Sequence, residues 1–282
     1  MRAVCRPRRL CRVVAPLLAA VAMPVVAGET AHEWLMKTNE AARSLTYEGV
    51  FVYEHGKQLD VMRIVHRNQD GRRRERLVSL NGAPREVIRN DREVICYLPD
   101  EKSVLVEHRK VDSKTFPALL PEHLKALEQN YEIQLGRAAR VVGRSAQQIL
   151  ILPRDRFRYG YQLWADRDTG LLLKAELLDT RTQPIEQFMF THLTVGGSIP
   201  DAAFEPESAA AGLVWHRAEM QNPAAEAAQV PRLQALELPK GYRLSTHIVR
   251  QLPKRETPVD HLVYSDGLAM VSVFGERDDK AA

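Results

Sequence analysis

Cysteine is nearly missing from this chain of 282 residues: there are three, and beyond residue 27 only Cys96 remains. One thiol excludes an internal disulfide there, so the fold must be held by burial alone. No cysteine closely follows residue 27, which removes an acceptor for a lipid anchor. Cys96 sits in the apolar run Val94-Ile95-Cys96-Tyr97-Leu98, where it reads as a buried, unreactive thiol. Long apolar runs are also missing past residue 27; none approaches the roughly 20 residues a membrane helix needs. The nine histidines are scattered singly, without His-x-Glu-x-x-His, His-x-His or other close ligand spacing. There is no Gly-x-Ser-x-Gly elbow and no phosphate-cradling glycine loop. These absences leave no catalytic constellation, no metal site and no cofactor motif, and the chain reads as a binding protein rather than an enzyme.

The first 27 residues have the three parts of a secretory signal. Arg2, Arg6, Arg8, Arg9 and Arg12 form a positive start, residues 13–26 are apolar apart from Pro16 and Pro24, and Val25-Val26-Ala27 supplies small residues for cleavage after Ala27. Removing this segment changes the charge reading. The whole chain has 40 Lys+Arg against 36 Asp+Glu, and five of those arginines and none of the acids lie in the leader, so +4 becomes −1. The basicity that would suggest nucleic acid belongs to the leader, and nucleic acid is excluded as a partner.

Past the leader, the spacing of Trp34, Leu35, Ala41, Ala42 and Leu45 predicts an amphipathic helix over 31–45. Strand patterns follow at 46–53, 59–66, 74–80, 85–89, 93–98 and 103–108. Short turns join them, among them Asn68-Gln69-Asp70-Gly71 and an Asn81-Gly82 hairpin. A helix-period stripe of Leu119, Leu120, Leu124 and Leu127 predicts a second helix over 116–130. Strands resume at 137–142, 146–152, 159–165, 171–178 and 185–191. Residues 219–234 are rich in Ala, Gln, Asn and Pro without apolar periodicity, reading as a linker or lid. Further strands are predicted at 242–249, 258–264 and 268–275. These last residues are too few to bury a good core and must lean on the first domain or on a partner. The domains expected are a leader 1–27, a large domain 28–217, a linker 218–236 and a small domain 237–282. The fold class is α+β, mainly antiparallel β, with a large sheet that closes, curls or packs on something.

Asp166-Arg167-Asp168-Thr169-Gly170 opens like a calcium loop, but its twelfth position is Leu177 instead of a bidentate Glu, so it reads as a hairpin turn. The one dense basic cluster is Arg72-Arg73-Arg74-Glu75-Arg76. It is either a solvated strand face or a seat for phosphates contacted by Arg72, Arg73, Arg74 and Arg76. Alternation places Tyr47, Phe51 and Tyr53 on one strand face, where core packing and the lining of a lipid-sized hollow compete.

Several segments resemble, in order, the RseB/MucB family of periplasmic sigma-E regulatory proteins. They are residues 45–53, Met62-Arg63-Ile64-Val65-His66, Glu75-Arg76-Leu77, Leu80-Asn81-Gly82, residues 85–89 and Cys96-Tyr97-Leu98-Pro99. Further on they are Arg158-Tyr159-Gly160-Tyr161, Leu163-Trp164-Ala165-Asp166, Thr169-Gly170-Leu171-Leu172, residues 265–269 and Ser272-Val273-Phe274. The resemblance spans about 33–275. It implies a large domain like the lipoprotein carriers LolA and LolB, a half-open β-barrel with helices inside, followed by a small β-rich domain. It also implies binding of the periplasmic part of an anti-sigma factor (RseA or MucA type), protection of that part from the site-1 protease, and release by lipid or lipopolysaccharide. Carried onto this chain, the cavity candidates are Tyr47, Phe51, Tyr53, Met62 and Ile64, with Tyr97, Trp164, Phe188 and Phe190. The partner candidates are Tyr242, Leu244, Tyr264, Leu268 and Phe274. Homo-oligomers stay open. A lipid or lipoprotein carrier is the alternative function. Family members continue for a few tens of residues past Phe274, whereas this chain ends in the charged stretch 275–282, so the small domain is expected to be incomplete.

Overall fold

The computed structural model describes residues 29–108, 127–207, 212–217, 234–250 and 259–275. The expected leader, the linker up to residue 233, most of the helix expected over 116–130 and the charged stretch after 275 lie outside them.

Helix α1 (Ala31–Ser44) starts on a capping box. The Thr30 hydroxyl accepts from the Glu33 amide, and the Glu33 carboxylate accepts from the Thr30 amide, which satisfies two otherwise unpaired donors. Six strands follow as an antiparallel meander: β1 (Tyr47–His55), β2 (Gln58–Gln69), β3 (Arg72–Ser79), β4 (Glu86–Arg89), β5 (Glu93–Leu98) and β6 (Ser103–His108). A second meander holds β7 (Tyr131–Val141), β8 (Arg144–Pro153), β9 (Gly160–Asp166), β10 (Leu172–Leu178) and β11 (Pro184–Val195). Pairing of β1 with β11 welds the two into one sheet, ordered β12-β6-β5-β4-β3-β2-β1-β11-β10-β9-β8-β7. Among the described residues β12 and β7 are its two free ends. A separate sheet holds β13 (Arg243–Arg250), β14 (Val259–Ser265) and β15 (Met270–Gly275).

Three local details differ from the sequence expectations. Strand β12 (Val214–Arg217) pairs in parallel with β6; its four exposed residues carry no alternation to betray it. Strand β7 begins at Tyr131, six residues before the position expected, because Tyr131 is fully buried and a bulge between Leu135 and Ala138 breaks the alternation. Asn81-Gly82 is not a two-residue hairpin. The loop closes from the Ser79 amide to the Arg85 carbonyl, and the Asn81 amide group spans to β2, accepting from Val61 and donating to Leu59. The β2–β3 turn does behave as expected: Asp70 and Gly71 take φ 54° and 77°, the left-handed pair of a type I′ turn.

Helix α1 lays Trp34, Leu35 and Ala41 on one face of the large sheet, against Tyr47, Ile64, Ile149, Ile151, Leu163 and Phe190. Their burial is the main stabilising term, since each large apolar side chain removed from water contributes roughly 1.5–3 kcal/mol. Leu127, where the described chain resumes, is also fully buried in this core.

Candidate functional site

On the sheet that carries this core, six neighbouring strands leave a hollow of about 410 Å³. Phe51 and Tyr53 (β1), Met62 (β2), Leu77 (β3), Tyr161 (β9), Ala175 and Leu177 (β10) and Phe188 (β11) line it, with Asp60, Arg85, Glu176 and Glu186 among its charged side chains. Alternation on β1 puts Phe51 and Tyr53 on one face, and register sets Phe51 against Met62 on one side and the Phe188–Phe190 strand on the other. Edge-on ring contacts fix the aromatic part, with Phe51–Phe188 and Phe188–Phe190 centroids both 5.2 Å apart. The Tyr53 hydroxyl donates to Glu186 Oε2 at 2.8 Å. Burial and then Glu186 push this phenol up to about 12, so it stays neutral and donating at physiological pH. Such a site can hold apolar matter; among the described residues no group of three or more His, Cys, Asp or Glu side chains gathers as a metal would require.

Four of the nine sequence-predicted cavity residues line the hollow: Phe51, Tyr53, Met62 and Phe188. Tyr47, Ile64 and Phe190 do not. They are packed beneath it at no more than 1% exposure, in the core with α1. Tyr97 belongs to a separate cluster with Ile88, Val104 and Val106 and meets Trp215 edge-on. Trp164 packs with Val141, Ala146 and Leu173 instead, under the Lys174 ammonium at 4.6 Å. Both lie in strand positions whose aromaticity reads the same whichever face they occupy. Leu77, Tyr161, Ala175 and Leu177 escaped the sequence reading; alternation within their strands was the signal available, but it does not say which face bears a hollow. Cys96 is partly buried, and burial pushes its thiol up, in keeping with an unreactive group.

Three of the four arginines proposed as a phosphate seat spend their charge inside the chain. Arg76 is buried and ion-paired with Glu86 and Glu207, Arg74 with Asp201 at 3.0 Å, and Arg73 with Asp91. Arg67 joins Arg74 on Asp201, and both guanidiniums stack on Phe204. Only Arg72 of the four is left exposed.

The small sheet is joined to the large one by a buried polar pin. In the β14–β15 turn, Asp266 Oδ1 accepts from the Leu268 and Ala269 amides, while Oδ2 accepts from Arg158 Nε at 2.5 Å and from the Tyr131 hydroxyl at 3.1 Å. Arg158, 2% exposed, also pairs with Asp155, donates to the Lys240 carbonyl and lies 4.7 Å from the Tyr242 ring centroid. Burial raises the Asp266 carboxyl, but the Arg158 guanidinium and the turn amides outweigh it and hold it below the usual range. Beside the pin, Leu268 enters the large-sheet core, and Gly241, at φ +90°, runs so close to Asn130 that a Cβ there would meet its Nδ2 at 2.2 Å.

This joint corrects the predicted partner residues. Leu268 is in the core, Tyr242 covers the pin, and Tyr264 packs with Tyr242 and Leu262 while its hydroxyl accepts from the Ala235 amide. Leu244 and Phe274 are exposed, and Phe274 stacks on His261 at 4.2 Å. Met270, Val271 and Val273 extend that exposed apolar edge along β15. Arg158 and Asp266 each sit in a segment singled out by sequence, but 108 residues separate them and nothing local announces their meeting.

Comparisons with known proteins agree over both sheets. The MucB/RseB N-terminal domain matches residues 30–208 and the MucB/RseB C-terminal domain matches 227–282. The chain is 35% identical over 258 residues to the sigma factor AlgU regulatory protein MucB of Pseudomonas aeruginosa, covering 91% of this chain and 77% of that protein. It is 29% identical over 246 residues to the sigma-E factor regulatory protein RseB of Escherichia coli K12, covering 86% and 74%. A crystal structure of MucB in complex with MucA(peri) superposes with a TM-score of 0.69 at 32% identity, over 89% of this chain and 81% of that one. By both domains, the chain belongs to the MucB/RseB family of sigma factor regulatory proteins.

Proposed function

We propose that this protein works in the periplasm as a negative regulator of an envelope-stress sigma factor. It binds the periplasmic domain of a MucA-type anti-sigma factor, hides it from the site-1 protease, and releases it when an acyl chain enters the hollow. The exposed apolar edge of β15, with Leu244, is the proposed contact for the partner. One observation carries the reading. The hollow and the joint rest on the same core, since Tyr161 lines the hollow and packs against the cluster that Leu268 of the β14–β15 turn enters. A relative of similar fold has been crystallised with MucA(peri), which supports the choice of partner.

The action is by occupancy. An amphiphile that prefers the partner-free state weakens partner binding by the factor by which the partner weakens its own binding. Burying acyl chain supplies about 0.8 kcal/mol per methylene, so a few methylenes suffice for the usual coupling of about 1–3 kcal/mol. Protease digestion of the anti-sigma periplasmic domain is expected to be slowed by this protein and restored by a single-chain amphiphile. Protection that ignores the amphiphile would overturn the coupling. A lipid or lipoprotein carrier is the second reading, favoured by the hollow; transfer of lipoprotein between membranes in a reconstituted assay would select it.

A further inference from the structure

A second space adjoins the hollow at its charged rim. Asp60 and Arg85 also line this space of about 300 Å³, whose other walls include Gln58, Asn81, Asp100 and Glu101. The local fold builds this annex. One wall is the loop after β3, held to β2 by Asn81; another is the 3-10 turn Pro99–Glu101 after β5. The two spaces differ in chemistry. Apolar side chains dominate the first, while the second carries three carboxylates against the single guanidinium of Arg85. The Asp60 carboxylate is oriented by Gln58 Nε2 at 3.1 and 3.0 Å. On the hollow side, Glu176 is offset by Lys174 at 2.7 Å, and Glu186 accepts from Tyr53.

We infer that hollow and annex form one bipartite site for a single-chain amphiphile whose head carries an ammonium group. The inference rests on the lipid reading of the hollow and adds the head group. At about 410 Å³ the hollow lies near the lower end of the roughly 300–1,000 Å³ typical of small-molecule sites, room for one chain and not for a bundle of them. A head that is only anionic meets Asp60, Asp100 and Glu101 together. A phosphodiester followed by an ammonium instead places its phosphate at Arg85, a bidentate donor, and its cation among the carboxylates.

The test compares lysophosphatidylethanolamine with lysophosphatidylglycerol of the same acyl chain, binding to the full chain by calorimetry below their micellar concentrations. The ethanolamine lipid is expected to bind about fivefold tighter, the worth of one partly exposed ion pair, with the preference shrinking as salt rises. The double variant Asp60→Asn, Asp100→Asn is expected to remove the preference. Ala175→Trp, which fills the hollow, is expected to abolish binding of both lipids. Equal or tighter binding of the glycerol lipid by the unaltered chain overturns the head-group inference and leaves the hollow reading standing. Binding of neither lipid, or binding indifferent to Ala175→Trp, overturns both.

Discussion

At the scale of single residues, the joint rests on one buried ion pair. Arg158 and Asp266 are both buried, and removing one member of such a pair strands the other charge, at a cost of about 3–5 kcal/mol. Asp266→Asn is therefore expected to destabilise the chain by that order in urea unfolding, and to expose the Leu268 and Ala269 amides to hydrogen exchange. Replacing both partners with Arg158→Met and Asp266→Leu is expected to recover most of the loss, because an apolar pair carries no stranded charge; no recovery would mean that the pin holds more than its own charges. The acid response has a definite sign. A docked Asp266 held below the ordinary value of about 3.9 contributes fully above that value and loses its contribution as pH falls through its docked value. Docking of the small sheet is thus expected to weaken below about pH 4 and, as far as Asp266 is concerned, not to change with pH near neutrality, as hydrogen exchange across that range would register. Neither partner was legible in the sequence as half of a pair, because what brings them together is the packing of one sheet's turn on the other, not any local spacing.

Elements were far more legible than contacts. Alternation and turn residues locate most strands of the large sheet because those strands are half-buried, so the pleat writes itself into the sequence at period two. The same alternation leaves undetermined which face meets the helix, which is why Phe51 and Phe188 line the hollow while Trp164 packs in another cluster. Strand β12 stayed hidden for the opposite reason, since all four of its side chains are exposed. The contrast between buried and exposed aromatics in the small sheet gives an element-scale test. Phe274→Ala, on the exposed edge of β15, is expected to weaken binding of the anti-sigma periplasmic domain while stability stays within about 0.5 kcal/mol. Tyr264→Ala, on the covered face of β14, is expected to cost about 3–5 kcal/mol in stability. A Phe274 variant that binds normally would move the partner surface elsewhere. At the other end of the described chain, Thr30→Ala removes the capping box of α1 and is expected to cost about 1 kcal/mol, measurable as a lower urea midpoint.

At the scale of the whole molecule, two sheets of very unequal size depend on one another. The small sheet keeps its own cluster of Tyr242, Leu262 and Tyr264, yet its turn residue Leu268 belongs to the core of the large sheet. A space that can be filled on the large sheet and an exposed apolar edge on the small one are thereby separated by a packed, hydrogen-bonded joint rather than by solvent. Family membership says what such a molecule regulates; the core that Tyr161 and Leu268 share is the proposed route by which filling one place changes the other. The most direct measurement is the affinity of the MucA-type periplasmic domain for this protein and for its Ala175→Trp variant, whose hollow is filled permanently. The expected result is weaker binding by the variant, between about fivefold and 150-fold, without loss of folding stability beyond the roughly 1–3 kcal/mol of an overpacked core. Equal affinity in a stably folded variant would contradict the coupling between hollow and partner.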